Sequence, residues 1–179
     1  MHKMAEHFLS GNEVSFGTDE IIVSKTNLKG HITYCNDVFL RVSGYTEKEL
    51  LGRPHSIIRH PDMPRSVFKL LWDTLQAGSE IFAYVNNRTK KGDNYWVLAH
   101  VTPSRDARGS IIGYHSNRRV PDRALVEQTI APLYADLLAE EERHANRKAG
   151  MQAAYQSLVE VLKDAGMEYD EFIATLCAA

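Results

Sequence analysis

Near Pro121 the spacing of the apolar positions passes from short strands with small helices between them to a sustained helical period. Ile21–Thr26 has the β-branched richness of a strand, and the turn Asn27–Gly30 leads into His31–Tyr34, so the two pair as a hairpin. Three further segments, Ile81–Arg88, Asn94–Thr102 and Ile111–Arg118, are separated by turn chemistry at Lys91–Asn94 and Asp106–Gly109 and read as an antiparallel meander. Tyr95–Val101 is apolar at nearly every position, which predicts a central strand covered on both faces. Between the two strand groups lie small helices: Asp37–Val42 opened by Asn36, one opened by the capping box Thr46…Glu49, and Phe68–Leu75 closed by Gly78. Residues 2–10 form a further short helix at the start.

Beyond Pro121 the spacing is helical. Val126, Ile130, Leu133, Tyr134, Leu137 and Leu138 share one stripe, and Met151, Tyr155, Leu158, Val159 and Leu162 share another. Between them, residues 140–148 are a charge run that reads as a solvated helix face, with Gly150 as an interruption, and Tyr169–Leu176 is a last amphipathic helix. The fold class is α+β: a five-stranded antiparallel sheet with short helices on one face and an α-helical C-terminal extension. The expected units are an N-terminal helical cap at 1–19, a core domain at 20–120 and the extension at 121–179. The apolar stripes of the extension need a cover: the sheet, one another or a second subunit.

Composition narrows the classes of function. With 179 residues, 44% of them hydrophobic, and a net charge of −2, the chain affords a core but has no long-range positive field for nucleic acid or an anionic membrane. No run of about 18 apolar residues occurs, so no direct membrane insertion is expected. Cys35 and Cys177 are too few and too far apart for a disulfide framework, and read as unpaired thiols of a reducing, cytoplasmic compartment. Neither a Gly-x-Ser-x-Gly elbow nor a credible acid–base pair is present; the reading is not an enzyme.

The chemistry concentrates at residues 52–64. Pro54, Pro61 and Pro64 fix φ and remove donors, holding Arg59, His60 and Asp62 in a rigid loop. His55 and His60 are too few for a zinc site but leave a haem ligand open.

These elements and motifs resemble a PAS sensor domain, and within that superfamily the FAD-binding PAS domain of bacterial aerotaxis and energy-taxis receptors. The resemblance covers roughly residues 20–120. It rests on Asn36–Phe39, Val42–Thr46, Gly52–His55, Arg59–Pro64, Phe68 with Leu71 and Trp72, Asn87–Gly92, Tyr95 with Trp96, and Gly113–Ser116. It implies FAD bound non-covalently between the small helices and the inner sheet face, with the flavin's redox state as the signal. In that reading Asn36 and Asn87 supply amide partners to the ring edge, and Trp72, Phe82, Tyr95 and Trp96 supply its walls. Arg59 and His60, with Arg65 beside them, face the pyrophosphate, Asp62 orients Arg59 or His60, and His55 belongs to the same loop. Asn87, by rotating its amide as the ring is reduced, would bias the helix leaving Pro121.

The family's tryptophan ahead of the Asn87 strand is replaced here, where the chain reads Glu80–Asn87. Photosensory relatives carry a reactive cysteine where this chain has His55–Ile58, so a flavin–cysteine adduct is not expected. The receptor's membrane span and signalling coiled coil do not follow residue 120, which implies a stand-alone homodimer that signals to a chemoreceptor-type or other signalling protein. The alternatives are a haem gas sensor and a cofactor-free interaction module. Residue by residue, Trp72 also fits a core aromatic, Asn36 a helix cap and Asn87 a turn.

Overall fold

The computed structural model describes residues 8–164, 166–167 and 169–178. Its framework is a five-stranded antiparallel sheet in the order β2-β1-β5-β4-β3, built from β1 (Ile22–Asn27), β2 (Ile32–Cys35), β3 (Ile81–Arg88), β4 (Asn94–Arg105) and β5 (Ile111–Arg119). Each expected strand is present. β4 runs on to Arg105 because Pro103, which cannot donate to a ladder, lies beyond the Ile81–Val101 pair that ends β3, where β4 is locally an edge. One face of the sheet presents Ile81, Ala83, Val85, Tyr95, Val97 and Ala99 to the small helices, as the two-residue period requires.

Those helices are α1 (Asp37–Ser43), α2 (Glu47–Leu50), a 3₁₀ turn (His55–Ile58) and α3 (Arg65–Gln76). Asn36 caps α1: its Oδ1 accepts from Phe39 N at 3.1 Å and from Val23 N at 3.0 Å, and its Nδ2 donates to the Ile21 carbonyl at 2.9 Å. One amide thus ends a helix and ties it to β1. The Thr46–Glu49 capping box opens α2. α3 begins behind Pro64, which has no side chain able to cap it, and the cap comes from far away in sequence. Glu141 Oε1 accepts from Ser66 N at 2.8 Å.

Past β5, Asp122 caps α4 (Arg123–Leu125), which continues through a π segment (Val126–Ile130) into α5 (Ala131–Glu142). α6 (Arg147–Asp164) turns back against α5 and α3, and α7 (Tyr169–Ala178) packs on β3. The extension therefore packs on β3 and on the outer sheet face at Trp96, and leaves Lys25, Tyr34 and Phe82 of that face exposed. Tyr134 Oη donates to the Tyr84 carbonyl at 2.7 Å, and its ring lies 6.1 Å from that of Trp96. An uncovered edge strand is a pairing hazard, and the loop before α3 occupies part of the β3 edge, where Arg59 bridges Asn87 and His60 N donates to the Asn86 carbonyl at 3.4 Å. β4 is buried on its inner face and half-buried on its outer one, where Trp96 and Leu98 pack against the core, so the expected full cover on both faces is met only in part.

Three expectations change. Residues 8–10 are not helical; Ser10 N donates to the Gly92 carbonyl, and the rest of the expected N-terminal helix lies outside the described residues. Gly150 does not interrupt a helix. It is buried within α6, and a methyl group there would overlap the Glu141 backbone. The charge run is not merely solvated either, since Glu141 caps α3 and the Arg147 carbonyl accepts from Arg65 Nη1 at 2.7 Å. Gly150→Val should therefore force α6 off α5 and cost about 1–3 kcal/mol in urea denaturation; an unchanged midpoint would mean the two helices are not held at that distance.

Candidate functional site

Between α3, the 3₁₀ turn and the inner sheet face lies a cavity of about 620 Å³. β1 and β5 provide its polar floor through Ser24, Thr26, Ser116 and Arg118, while β3 and β4 add Val85, Asn87, Ala99 and Val101. Its wall is aromatic: Phe68 and Trp72 from α3, with Tyr114 meeting the indole edge-on at a centroid distance of 5.3 Å. Gly30, at φ 75°, allows the Trp72 ring to close the top, since a Cβ there would stand 3.2 Å from it. Met151 of α6 also reaches the lining.

The charged side chains of this lining are Lys29, Arg59, Arg65, Lys69 and Arg118, and no carboxylate is among them. Lys69 is paired with Asp73 outside the cavity at 2.6 Å. Arg59 stacks its guanidinium 4.1 Å over the Phe68 ring and donates from Nη2 to the Met63 carbonyl. Burial pulls its pKa down to about 10, against the favourable charge of Glu141, so it remains a cation at neutral pH. Asn87 is buried, with its Nδ2 unmatched by any acceptor. A buried donor without a partner costs free energy unless something else supplies one.

His55 faces the cavity from the 3₁₀ turn. Its ring stacks on Phe39 at 6.1 Å, and its Nε2 lies 3.1 Å from Ser24 Oγ. Burial first, and then the charge of Arg118, push its pKa down to about 3, so the imidazole is neutral. An Nε2 held against a hydroxyl is a poor candidate for haem iron.

A second groove, of about 700 Å³, opens beside the first and shares Pro54, Ser56 and Arg59 with it. Arg53, Arg88, Lys90 and Lys91 make it strongly basic; its one carboxylate, Glu49, is already bonded to Lys90 and Thr46. Arg88 Nε is buried and unpartnered.

Of the residues singled out from sequence, His55, Arg59, Trp72 and Asn87 come together on the cavity. The others sit elsewhere. Asn36 spends its amide on the α1 cap. His60 is buried beside the β3 edge, its Nδ1 accepting from Asp62 N at 3.2 Å, and the Asp62 carboxylate is mostly in solvent 3.5 Å away. Asp62 thus bears on His60, not on Arg59. Phe82 and Trp96 point to the opposite sheet face, where Phe82 stacks on His100 at 4.1 Å and Trp96 meets Tyr134. Tyr95 faces inward, fully buried, but is not part of the lining. Arg118, Ser24, Tyr114 and Met151 were not anticipated as cavity residues. Cys35 is a buried free thiol at the end of β2, and burial raises its pKa, so it is a poor nucleophile.

Comparison with known proteins agrees with this architecture. Residues 32–118 match the family described as PAS fold. They form a PAS domain. Over 138 residues the chain is 41% identical to the aerotaxis receptor of Escherichia coli strain K12, covering 76% of this chain and 27% of the receptor. It is 30% identical over 84 residues to the biofilm dispersion protein BdlA of Pseudomonas aeruginosa, covering 46% of this chain and 20% of that protein. The chain therefore spans about a quarter or less of the length of these relatives. Among solved structures, a light-oxygen-voltage domain studied with a flavin analogue superposes with a TM-score of 0.52 at 21% identity, over 69% of this chain and 85% of that one, a likeness of fold alone. Among the described residues no helix is long and apolar enough to cross a membrane.

Proposed function

We propose that this protein is a cytoplasmic redox sensor of the energy-taxis type, which holds FAD non-covalently and passes the flavin's redox state to a partner signalling protein, without catalysing a reaction on a substrate. The observation that carries the reading is the pairing of the two basins. An aromatic-walled cavity of about 620 Å³ has the size of a cofactor site, and it shares Pro54, Ser56 and Arg59 with a basic groove of the kind a diphosphate requires. The similarity to the aerotaxis receptor supports the same reading.

The residues fit a flavin. Trp72, Phe68 and Tyr114 exclude water from a flat ring, Asn87 offers an unmatched donor to its edge, and Arg59 stands where the two basins join. Arg53, Arg88 and Lys91 would hold the phosphates. When bound, a flavin supplies one- and two-electron redox chemistry. Everything else falls to the chain itself. Asn87 can rotate its amide so that either its oxygen or its nitrogen faces the cavity. It belongs to β3, whose Tyr84 carbonyl is held by Tyr134 of α5, while Met151 of α6 touches the same cavity. A rearrangement at Asn87 thus has two short routes to the C-terminal helices, which we assign as the output and homodimerisation unit. A change of about 1–3 kcal/mol in their packing alters partner affinity roughly 5- to 150-fold, enough for signalling.

Titration of the protein with FAD, FMN and riboflavin, followed by fluorescence quenching, tests this. FAD should bind at least tenfold more tightly than riboflavin, and replacing Arg88 and Lys91 together by alanine should abolish that preference while riboflavin still binds. Equal affinity for FAD and riboflavin would remove the groove from the cofactor site, and failure of all three to bind would refute the flavin reading.

A further inference from the structure

Among the described residues Arg118 is the one buried arginine or lysine. It lies on β5 with only 2% of its surface exposed, directed to the inner sheet face, and it lines the cavity. Its Nη2 donates to Ser24 Oγ at 2.5 Å, and its guanidinium sits 4.5 Å from the centroid of Phe39. Ser24 Oγ accepts from Arg118 and lies 3.1 Å from His55 Nε2, so one hydroxyl links the three side chains. Among the described residues Nε and Nη1 have no acceptor.

Among the described residues no countercharge faces it. The titratable groups beside it are the Cys35 thiol at the end of β2, the Tyr95 phenol from β4 and the His55 imidazole from the 3₁₀ turn. Burial raises the first two and lowers the third, so all three are neutral at pH 7. The remaining charged groups of the cavity, Lys29 after β1, Arg59 in the loop before α3, and Arg65 and Lys69 on α3, are cations. A buried cation with two idle donors and no anion costs several kcal/mol to keep. A ligand that brings an acceptor or an anion would complete it.

We propose that Arg118 is the charge partner of the ring's electron-rich edge, holding reduced flavin as its monoanion and raising its midpoint potential. This rests on the flavin reading above. The balance is simple: oxidised ring plus two electrons and one proton from solvent gives a ring with one negative charge, set against one guanidinium. With Arg118 replaced by a neutral side chain, the reduced ring would keep a second proton up to a higher pH, so two protons would accompany the two electrons over more of the neutral range.

Midpoint potentials of the FAD-loaded full chain, measured from about pH 6 to about pH 8 with dithionite as electron donor, itself oxidised to bisulfite, decide the matter. The wild type should fall by about 30 mV per pH unit, one proton per two electrons, and Arg118→Met by about 60 mV per unit, with its midpoint at pH 7 lower by at least tenfold in the equilibrium constant, about 30 mV. Arg118→Lys, which keeps the charge, should retain the shallow slope. Urea denaturation of the cofactor-free proteins should show Arg118→Met no less stable than wild type, because the buried charge is gone. A two-proton slope in the wild type overturns the proposal without needing any variant. So does an Arg118→Met protein that binds FAD with unaltered slope and midpoint, and in both cases flavin binding itself still stands; a chain that takes up no flavin refutes the underlying reading instead.

Discussion

Ala99→Phe is expected to give a folded protein that retains no flavin. Ala99 is 3% exposed on the cavity floor, opposite Ala83 on β3 and Arg118 on β5. A benzyl group there projects into the space between the sheet and α3, so it fills the cavity instead of colliding with packed core. Filling space costs little when the space exists, and overpacking of a tight core costs about 1–3 kcal/mol. Flavin affinity should fall at least about 100-fold, equivalent to roughly 2.7 kcal/mol, with a thermal midpoint of the cofactor-free protein within a few degrees of wild type. A variant that binds as well as wild type would place the ring somewhere other than the space under α3.

The second large effect is on acid stability. His55 is neutral in the folded protein, its pKa pushed down to about 3, whereas in the unfolded chain it titrates near its ordinary value of 6.5. Below that ordinary value the unfolded chain binds the proton and the folded one does not. The stability is therefore complete above about pH 6.5 and is lost progressively as the pH falls toward about 3. Between pH 7.5 and pH 5 this one group should remove about 2 kcal/mol from the unfolding free energy. Glu49, held down to about 2 chiefly by its bond to Lys90, adds loss of the same sign at lower pH. His55→Gln keeps a neutral polar side chain near Ser24 and should flatten the profile above pH 5. An equally steep decline in that variant would assign the acid sensitivity to other groups.

Most of the architecture was legible because local rules acted without competition. β3 starts and stops where its composition does, and Asn36, Thr46, Gly78 and Asp122 mark helix ends with the chemistry those positions demand. The site was legible only in part, and strand parity explains most of the difference. Asn87 faces inward, so Phe82, an odd number of residues away on the same strand, must face outward; Tyr95 and Trp96, as neighbours, cannot both wall one cavity. The same parity applied to β5 would have placed Arg118 beside Tyr114 and Ser116 on the inner face. Its charge concealed it, since an arginine near the end of a strand ordinarily lies in solvent.

What could not be read locally was long-range. Nothing near Pro64 announces that Glu141 caps α3, and nothing near Gly150 announces that α5 passes within contact distance of it. These links matter because they attach the helical extension to the wall of the cavity. Glu141 also lends its charge to Arg59, and Met151 lines the same space as Asn87. The C-terminal helices are thus part of the site's enclosure as well as its neighbours.

The absorbance spectrum of the full chain as purified, with the chromophore released by heat and identified by chromatography, tests the central claim most directly. The account predicts the double visible band of oxidised flavin and the release of FAD, one per chain. A Soret band, or a colourless protein that takes up no FAD on titration, would contradict it.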